Sequence, residues 1–469
     1  MKYLALVVLM FLGMRSELLA QHIHSEKDSL TQVFAKAQQQ NKPVLVVLDV
    51  PAADVPLPSG APHKSGLTAP GIRAELDRDF LVKEMPFEGE ASATLKRKYL
   101  IMRYPTYLYF NPDGALLYRS TGNYTAEGHY LNDLKAFRQA QADPRNLSYY
   151  QAEFQKGNRA PDFLKHYMLK RRELDQRVEP ALLDAYVQQL PVKAFKQGGE
   201  VLFVLENGPV VSSVAYQLTH SGNKLTDSLY RALPLAQRMA INNRIISNTM
   251  AEATTTKNAR LASEGANFAR NSWTTNYARG ARAYETNMLS FYQNIKDTTS
   301  YLRHAVTFYE RYGMGVSADS AAKTAASIRA FRQQQVAGMP GLSQISRPAG
   351  AVDKAKLLDP KITRVVTTIV SSGPPNSFVT ELNNGAWNVY QTGTHNREYL
   401  LRATLWSKRA VELDPAAYDY DTLAHLLYRL QFYEEAEAKQ QQAVNYARQE
   451  KISPLPYEQT LQKMKKRQL

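Results

Sequence analysis

Cysteine is absent from all 469 residues. This chain therefore forms no disulfide, no thiolate metal site, no iron–sulfur cluster and no cysteine nucleophile. Long runs of one charge are also missing. The densest basic stretch, Lys463-Met464-Lys465-Lys466-Arg467, is too short for a dedicated nucleic-acid tail. There is no His-Glu-x-x-His helix signature. No stretch beyond the N-terminus approaches the ~20 apolar residues needed to span a bilayer. These gaps argue against a nucleic-acid partner and a transmembrane segment.

Hydrophobic residues make up 44% and charged residues 22%, an ordinary balance for a folded chain, and the length suits two to four domains. The formal net charge is +15. Residues 21–140 hold 14 basic and 13 acidic side chains, and residues 141–469 carry +13. Such a region can meet an anionic partner. The plainer alternative is a solvated basic surface.

The N-terminus opens with Met1-Lys2, an apolar stretch from Tyr3 to Leu12, and Leu18-Leu19-Ala20 before Gln21. A positive start, a short apolar core and a small residue at the break describe a secretory signal peptide over residues 1–20. An uncleaved anchor helix is the alternative. No cysteine follows the apolar core, so a lipoprotein anchor is excluded. The expected destination is the periplasm of a Gram-negative bacterium.

Leu30, Val33, Phe34 and Ala37 share one helical face, and Asn41-Lys42-Pro43 ends it. Val44 to Val50 is a nearly continuous apolar run, as in a strand buried on both faces. Pro51–Pro70 is rich in proline and reads as a loop. A helix over Gly71–Phe80, a strand over Leu81–Phe87 and a helix over Ser92–Leu100 follow. Tyr107–Phe110 and Ala115–Arg119 flank Asn111-Pro112-Asp113-Gly114, a turn in which Gly permits a positive dihedral. Tyr130, Leu134 and Phe137 place a last helix on the sheet. This alternation predicts a compact α/β domain.

Residues 27–140 resemble a thioredoxin-like domain of exported bacterial proteins. The resemblance rests on Asn41-Lys42-Pro43-Val44-Leu45-Val46, Tyr99-Leu100-Ile101-Met102-Arg103-Tyr104-Pro105-Thr106, the Asn111–Gly114 turn and Gly122. It covers about a quarter of the chain. The family's Trp-Cys-x-x-Cys segment would follow the first central strand, where this sequence has Asp54 to Gly66 and no cysteine. Serine has no accessible thiolate-like state, so thiol–disulfide exchange by these residues is chemically excluded. The resemblance implies a cis bond at Pro105 beside the former redox loop. It also implies a peptide-binding edge at Tyr104, Pro105 and Thr106, by strand addition. The alternative is that Pro105 only shapes the loop. In the replaced loop, His63 and Lys64 are candidate polar contacts.

From about Asp143 the pattern is helical. Phe163, Leu164, Tyr167 and Met168 form one face, and Leu182, Leu183, Ala185, Tyr186 and Leu190 another. Val201–Leu205 and Val210–Val214, around Asn207-Gly208-Pro209, read equally as a hairpin or as two helix segments. Residues 336–376 are Gly-, Pro- and Ser-rich and read as a linker. Trp387, Ala403, Ala410 and Pro415 begin a pattern that Tyr420, Leu423, Ala424, Ala436 and Ala443 repeat 33 residues later. This resembles tetratricopeptide repeats, in which small residues sit where paired helices cross. The expected organisation is a signal peptide (1–20), a thioredoxin-like α/β domain (21–142), a helical domain (143–335), the linker (336–376) and tetratricopeptide-like pairs (377–469).

Other chemistry is weakly signalled. His22 and His24 alone make a poor metal site. Ser221-Gly222-Asn223-Lys224 lacks the companion motifs of the penicillin-binding class. Gly313-Met314-Gly315 with Lys323-Thr324 lacks the glycine and strand of a phosphate loop. No catalytic residue, metal or cofactor is called. The favoured function is binding of a protein or peptide partner in the envelope. A folding helper without exchange chemistry, and an enzyme whose residues converge only in space, are the alternatives.

Overall fold

The computed structural model describes residues 28–49, 65–87, 89–99, 101, 103–124, 126–220, 223–324, 326, 378–450 and 452–469. The signal-peptide segment, His63, Lys64, Ser221, Gly222 and the linker 336–376 lie outside the described residues. The chain divides into two compact units, residues 1–194 and 195–469.

In the first unit, helix α1 (Leu30–Gln40) starts from a capping box. Ser29 Oγ accepts from Gln32 N, and Gln32 Oε1 accepts from Ser29 N at 2.7 Å. Val33 and Ala37 turn inward, and Asn41 closes the helix with φ 52°. Strand β1 (Val44–Asp49) is buried along its length except at Asp49, which is why its sequence shows no alternation. Helix α2 (Pro70–Asp79) has proline at its first turn. Strand β2 (Leu81–Pro86), helix α3 (Glu90–Lys98), strands β3 (Thr106–Phe110) and β4 (Leu116–Thr121), and helix α4 (Glu127–Ala142) follow.

The mixed sheet has the order β2-β1-β3-β4. β1 and β2 are parallel, with Val44 opposite Leu81, while β3 is antiparallel to both β1 and β4. The β3–β4 turn works as its residues predict. Gly114 takes φ 80°, and Asn111 Oδ1 accepts from Ala115 N at 2.7 Å. Leu45, Val47, Tyr107 and Tyr109 face Ile72, Leu76, Tyr130, Leu134 and Phe137 of α2 and α4 in one core. Across the sheet, Phe110 meets Phe34 of α1 edge-on at 5.1 Å and Tyr99 at 5.6 Å. Each such side chain, fully buried, contributes roughly 1.5–3 kcal/mol.

Three helices complete this unit: α5 (Leu147–Gln155), α6 (Pro161–Glu173) and α7 (Pro180–Gln189). Two polar contacts tie them to the sheet. Asn111 Nδ2 donates to Ser148 Oγ at 2.9 Å. The Arg119 guanidinium, from β4, donates to Leu174 O at the end of α6 at 3.5 Å and lies 3.8 Å from the Asp175 carboxylate, while also donating to Tyr99 O after α3 at 2.8 Å. Burial pushes the Arg119 pKa down, and Asp175 opposes this.

The second unit is helical throughout its described elements: α8 (Gly198–Glu206), α9 (Val214–His220), α10 (Asn223–Ala232), α11 (Leu235–Thr256), α12 (Ala259–Asn271), α13 (Tyr277–Asn294) and α14 (Thr298–Tyr312), then α15 (Phe378–Gln391), α16 (Arg397–Leu413), α17 (Ala417–Arg429), α18 (Tyr433–Gln449) and α19 (Leu455–Lys465). Val201–Leu205 is helix, so the hairpin alternative is not formed. Asn207 and Gly208 instead end α8, with both carbonyls held by Asn248 Nδ2 of α11 at 3.1 and 2.6 Å.

Small residues set the helix crossings. Ala403 and Ala410 of α16, and Ala436 and Ala443 of α18, are all 0% exposed. Tyr309 of α14 packs onto Gly385 of α15 and lies 4.9 Å from the Trp406 ring, centroid to centroid. One continuous core runs from Leu289 through Trp406 to Leu430.

Candidate functional site at the carboxyl end of the sheet

The two parallel strands end together, with Phe87 N donating to Asp49 O at 2.6 Å. The loop before β3 arrives at the same end, because Thr106 opens β3 opposite Leu48. The Tyr104–Pro105 peptide bond in that loop is cis. Pro105 is buried, and its carbonyl accepts from Gly122 N at 2.9 Å.

The five candidate residues fall in different places. Thr106 is fully buried and spends its hydroxyl on Arg103 O at 2.6 Å. It shapes the loop from inside. His63 and Lys64 lie outside the described residues. Tyr104 is 48% exposed, and its ring rests on Phe87 with centroids 5.0 Å apart. Phe87 is itself fixed: its carbonyl accepts from Ser92 Oγ at 2.9 Å and Lys96 Nζ at 2.8 Å, and the Lys96 ammonium lies 4.2 Å from its ring centroid. Among the described residues, neither the N–H nor the C=O of Tyr104 has a hydrogen-bond partner. Among the described residues, Tyr104 thus presents a free donor, a free acceptor and half an aromatic ring, with Phe87 beneath it.

Two polar clusters flank this loop. In the first, Tyr130 OH is a hub. It meets Ser65 Oγ at 2.9 Å and Tyr107 OH at 3.2 Å, accepts from Tyr124 N at 3.2 Å and reaches Asn123 Oδ1 at 3.3 Å. Gly66 N donates to Tyr124 O at 2.7 Å. The hub thereby docks the far end of the Pro51–Pro70 loop onto the sheet. Burial, then the bond to Tyr130, holds the Tyr107 hydroxyl far above its ordinary pKa, so it is no base at neutral pH. Ser65 Oγ accepts from Leu67 N at 3.2 Å and has no histidine or carboxylate partner among the described residues. A hydroxyl so placed is a helix cap, without the neighbouring base a nucleophile needs.

In the second cluster, buried Asp133 of α4 accepts from Tyr118 OH at 2.9 Å and Ser120 Oγ at 2.6 Å, with His129 Nε2 3.8 Å away. The His129 ring stacks on Tyr124 with centroids 3.5 Å apart. Burial raises the Asp133 pKa, and the bonds from Ser120 and Tyr118 and the nearby His129 oppose it. Sequence reasoning missed Asp133, Ser65 and Phe87. A signal for Asp133 existed: it sits three residues after Tyr130 and beside Leu134, on the apolar stripe of α4.

Among the described residues, no three His, Asp or Glu side chains are grouped to hold a metal, and no helix is long and apolar enough to cross a membrane. Comparison with known protein families, with curated proteins and with solved structures finds no match for this chain.

Proposed function

We propose that this protein is a non-redox, thioredoxin-like binding protein of the cell envelope, which recognises an extended segment of a protein or peptide partner at Tyr104. The observation that carries the reading is the N–H and C=O of Tyr104, unpaired among the described residues, beside its half-exposed ring and the anchored Phe87. An extended peptide satisfies both backbone groups at once by strand addition and lays one side chain against the rings. The sheet order β2-β1-β3-β4, the antiparallel β3 and the cis Tyr104–Pro105 bond support a thioredoxin-like ancestry. The lack of cysteine removes exchange chemistry from this chain. The tetratricopeptide-like reading of α15–α18 is supported by buried alanines at the 33-residue spacing.

The test is a displayed library of random extended peptides, panned on the full chain. Hydrogen exchange of the enriched complex then reads the Tyr104 amide. Slowed exchange there, and an affinity at least about tenfold weaker in Tyr104→Pro, which lacks both the donor and the ring, are expected from the loss of the hydrogen bond and the ring contact. Protection confined to residues 378–465, with Tyr104 unaffected, contradicts the proposal.

A further inference from the structure

The last helical layer buries a carboxylate that no described residue neutralises. Asp419 lies in the first turn of α17 and is 0% exposed. Among the described residues, neither carboxylate oxygen has a hydrogen-bond partner. A carboxylate at a helix N-terminus ordinarily caps free amides. Here Glu450, just past α18, takes that role, its Oε1 accepting from Ala417 N at 3.1 Å. The Asp419 backbone is satisfied separately: its N–H donates to Ala416 O at 3.1 Å, and its carbonyl accepts from Ser407 Oγ of α16 at 3.4 Å.

The charged groups that face it are of the wrong sign. Asp414, from the turn before α17, and Glu450 both repel a negative charge at Asp419. Tyr418 and Tyr420 of α17 and Tyr457 of α19 surround it and lend no cation. Tyr446 of α18 packs on Tyr420 with centroids 4.9 Å apart. Lys439 of α18 lies 5.8 Å from the Tyr420 ring centroid and bonds Gln442. An isolated buried carboxylate in such surroundings stays neutral by holding its proton.

We propose that Asp419 is a pH-sensitive latch: as the neutral acid it lets α17 pack between α16 and α18, and its ionisation loosens that layer. Burial first, then Asp414, pushes the Asp419 pKa up to about 8; Glu450 adds to this, and the Ala416 amide, outside hydrogen-bonding geometry, opposes it. The unfolded chain releases the same proton near pH 4. Below pH 4 both states hold the proton and stability is full. Between about 4 and about 8 only the fold holds it, so the unfolding equilibrium constant rises about tenfold per pH unit. Above about 8 the loss is complete and levels off.

The test uses the full chain and urea unfolding from pH 5 to about 9.5, beyond the end of the predicted loss, followed by tryptophan fluorescence. Trp273, Trp387 and Trp406 all lie in residues 195–469, so the signal reports that unit. Relative to Asp419→Asn, the wild-type unfolding constant should rise about tenfold per pH unit. An identical pH slope in the two proteins overturns the proposal. A second variant, Asp414→Asn, removes one repelling charge without touching the buried group. It should end the pH-dependent loss at a lower pH than wild type, and an unchanged end point also counts against the latch.

Discussion

Replacing Gly385 with alanine tests the packing of the second unit at its tightest point. A Cβ built on Gly385 overlaps the Tyr309 ring, with Cε1 and Cε2 both 2.6 Å away. The ring has no room to retreat. It is 6% exposed, 4.9 Å from Trp406 and 5.1 Å from Phe308, centroid to centroid. Alanine in a helix interior gains about 1 kcal/mol over glycine. Forcing a methyl into a filled core loses about 1–3 kcal/mol. A blocked aromatic ring puts the loss at the upper end, so Gly385→Ala should lose about 2 kcal/mol net. For a unit of this size that lowers the melting temperature by roughly 4–8 °C. Gly199→Ala is the matched control: that glycine is in α8 with nothing within 4 Å of its Cβ, and the change should be neutral or mildly stabilising. Thermal unfolding read by tryptophan fluorescence suits the assay, since Trp406 touches the affected ring. In the double variant Gly385→Ala with Tyr309→Val, the two losses should fall short of adding. A Gly385→Ala protein as stable as wild type refutes the close approach.

Other predictions follow from single contacts. Arg119→Met should loosen the turn between α6 and α7 from the sheet by about 1–3 kcal/mol, through the unpaired Leu174 and Tyr99 carbonyls. Asp175→Asn should be nearly silent, because that carboxylate is 73% exposed; faster proteolysis around residues 174–179 in Arg119→Met alone checks both. Asp133 has a raised pKa in the fold, so its contribution is full in acid and declines as pH rises through the folded value. Hydrogen exchange of α4 should therefore be less pH-dependent in Asp133→Asn than in wild type, after correction for intrinsic exchange. An unchanged dependence would remove Asp133 from the account.

Much of the first unit was legible because its signals are local. Val44–Leu48 announces a doubly buried strand by lacking alternation, and Asn111–Gly114 carries its turn in its own side chains. The 33-residue spacing exposed Ala403, Ala410, Ala436 and Ala443 as crossing points because small size is visible in sequence. What stayed hidden depends on distant partners. Asn207-Gly208-Pro209 has equal turn chemistry for a hairpin and for a helix end, and Asn248 accompanies the helical outcome with bonds from forty residues away. Gly385 looks like a helix weakness until Tyr309 is placed on it. Asp419 looks like an ordinary solvated acid, and only its place on the apolar stripe of α4 marks Asp133 as buried. At the candidate site, the sequence pointed to Tyr104 and Pro105. It could not tell that Thr106 turns inward, or that Phe87 and its ties to Ser92 and Lys96 supply the platform.

The central claim is that Tyr104 is where this chain meets an extended partner. The most direct measurement is hydrogen exchange at the Tyr104 amide, in the full chain with and without a peptide selected from the displayed library. The account predicts slowed exchange at Tyr104 and binding at least about tenfold weaker in Tyr104→Pro. An amide that exchanges equally fast in the complex, with affinity unchanged in Tyr104→Pro, would contradict it.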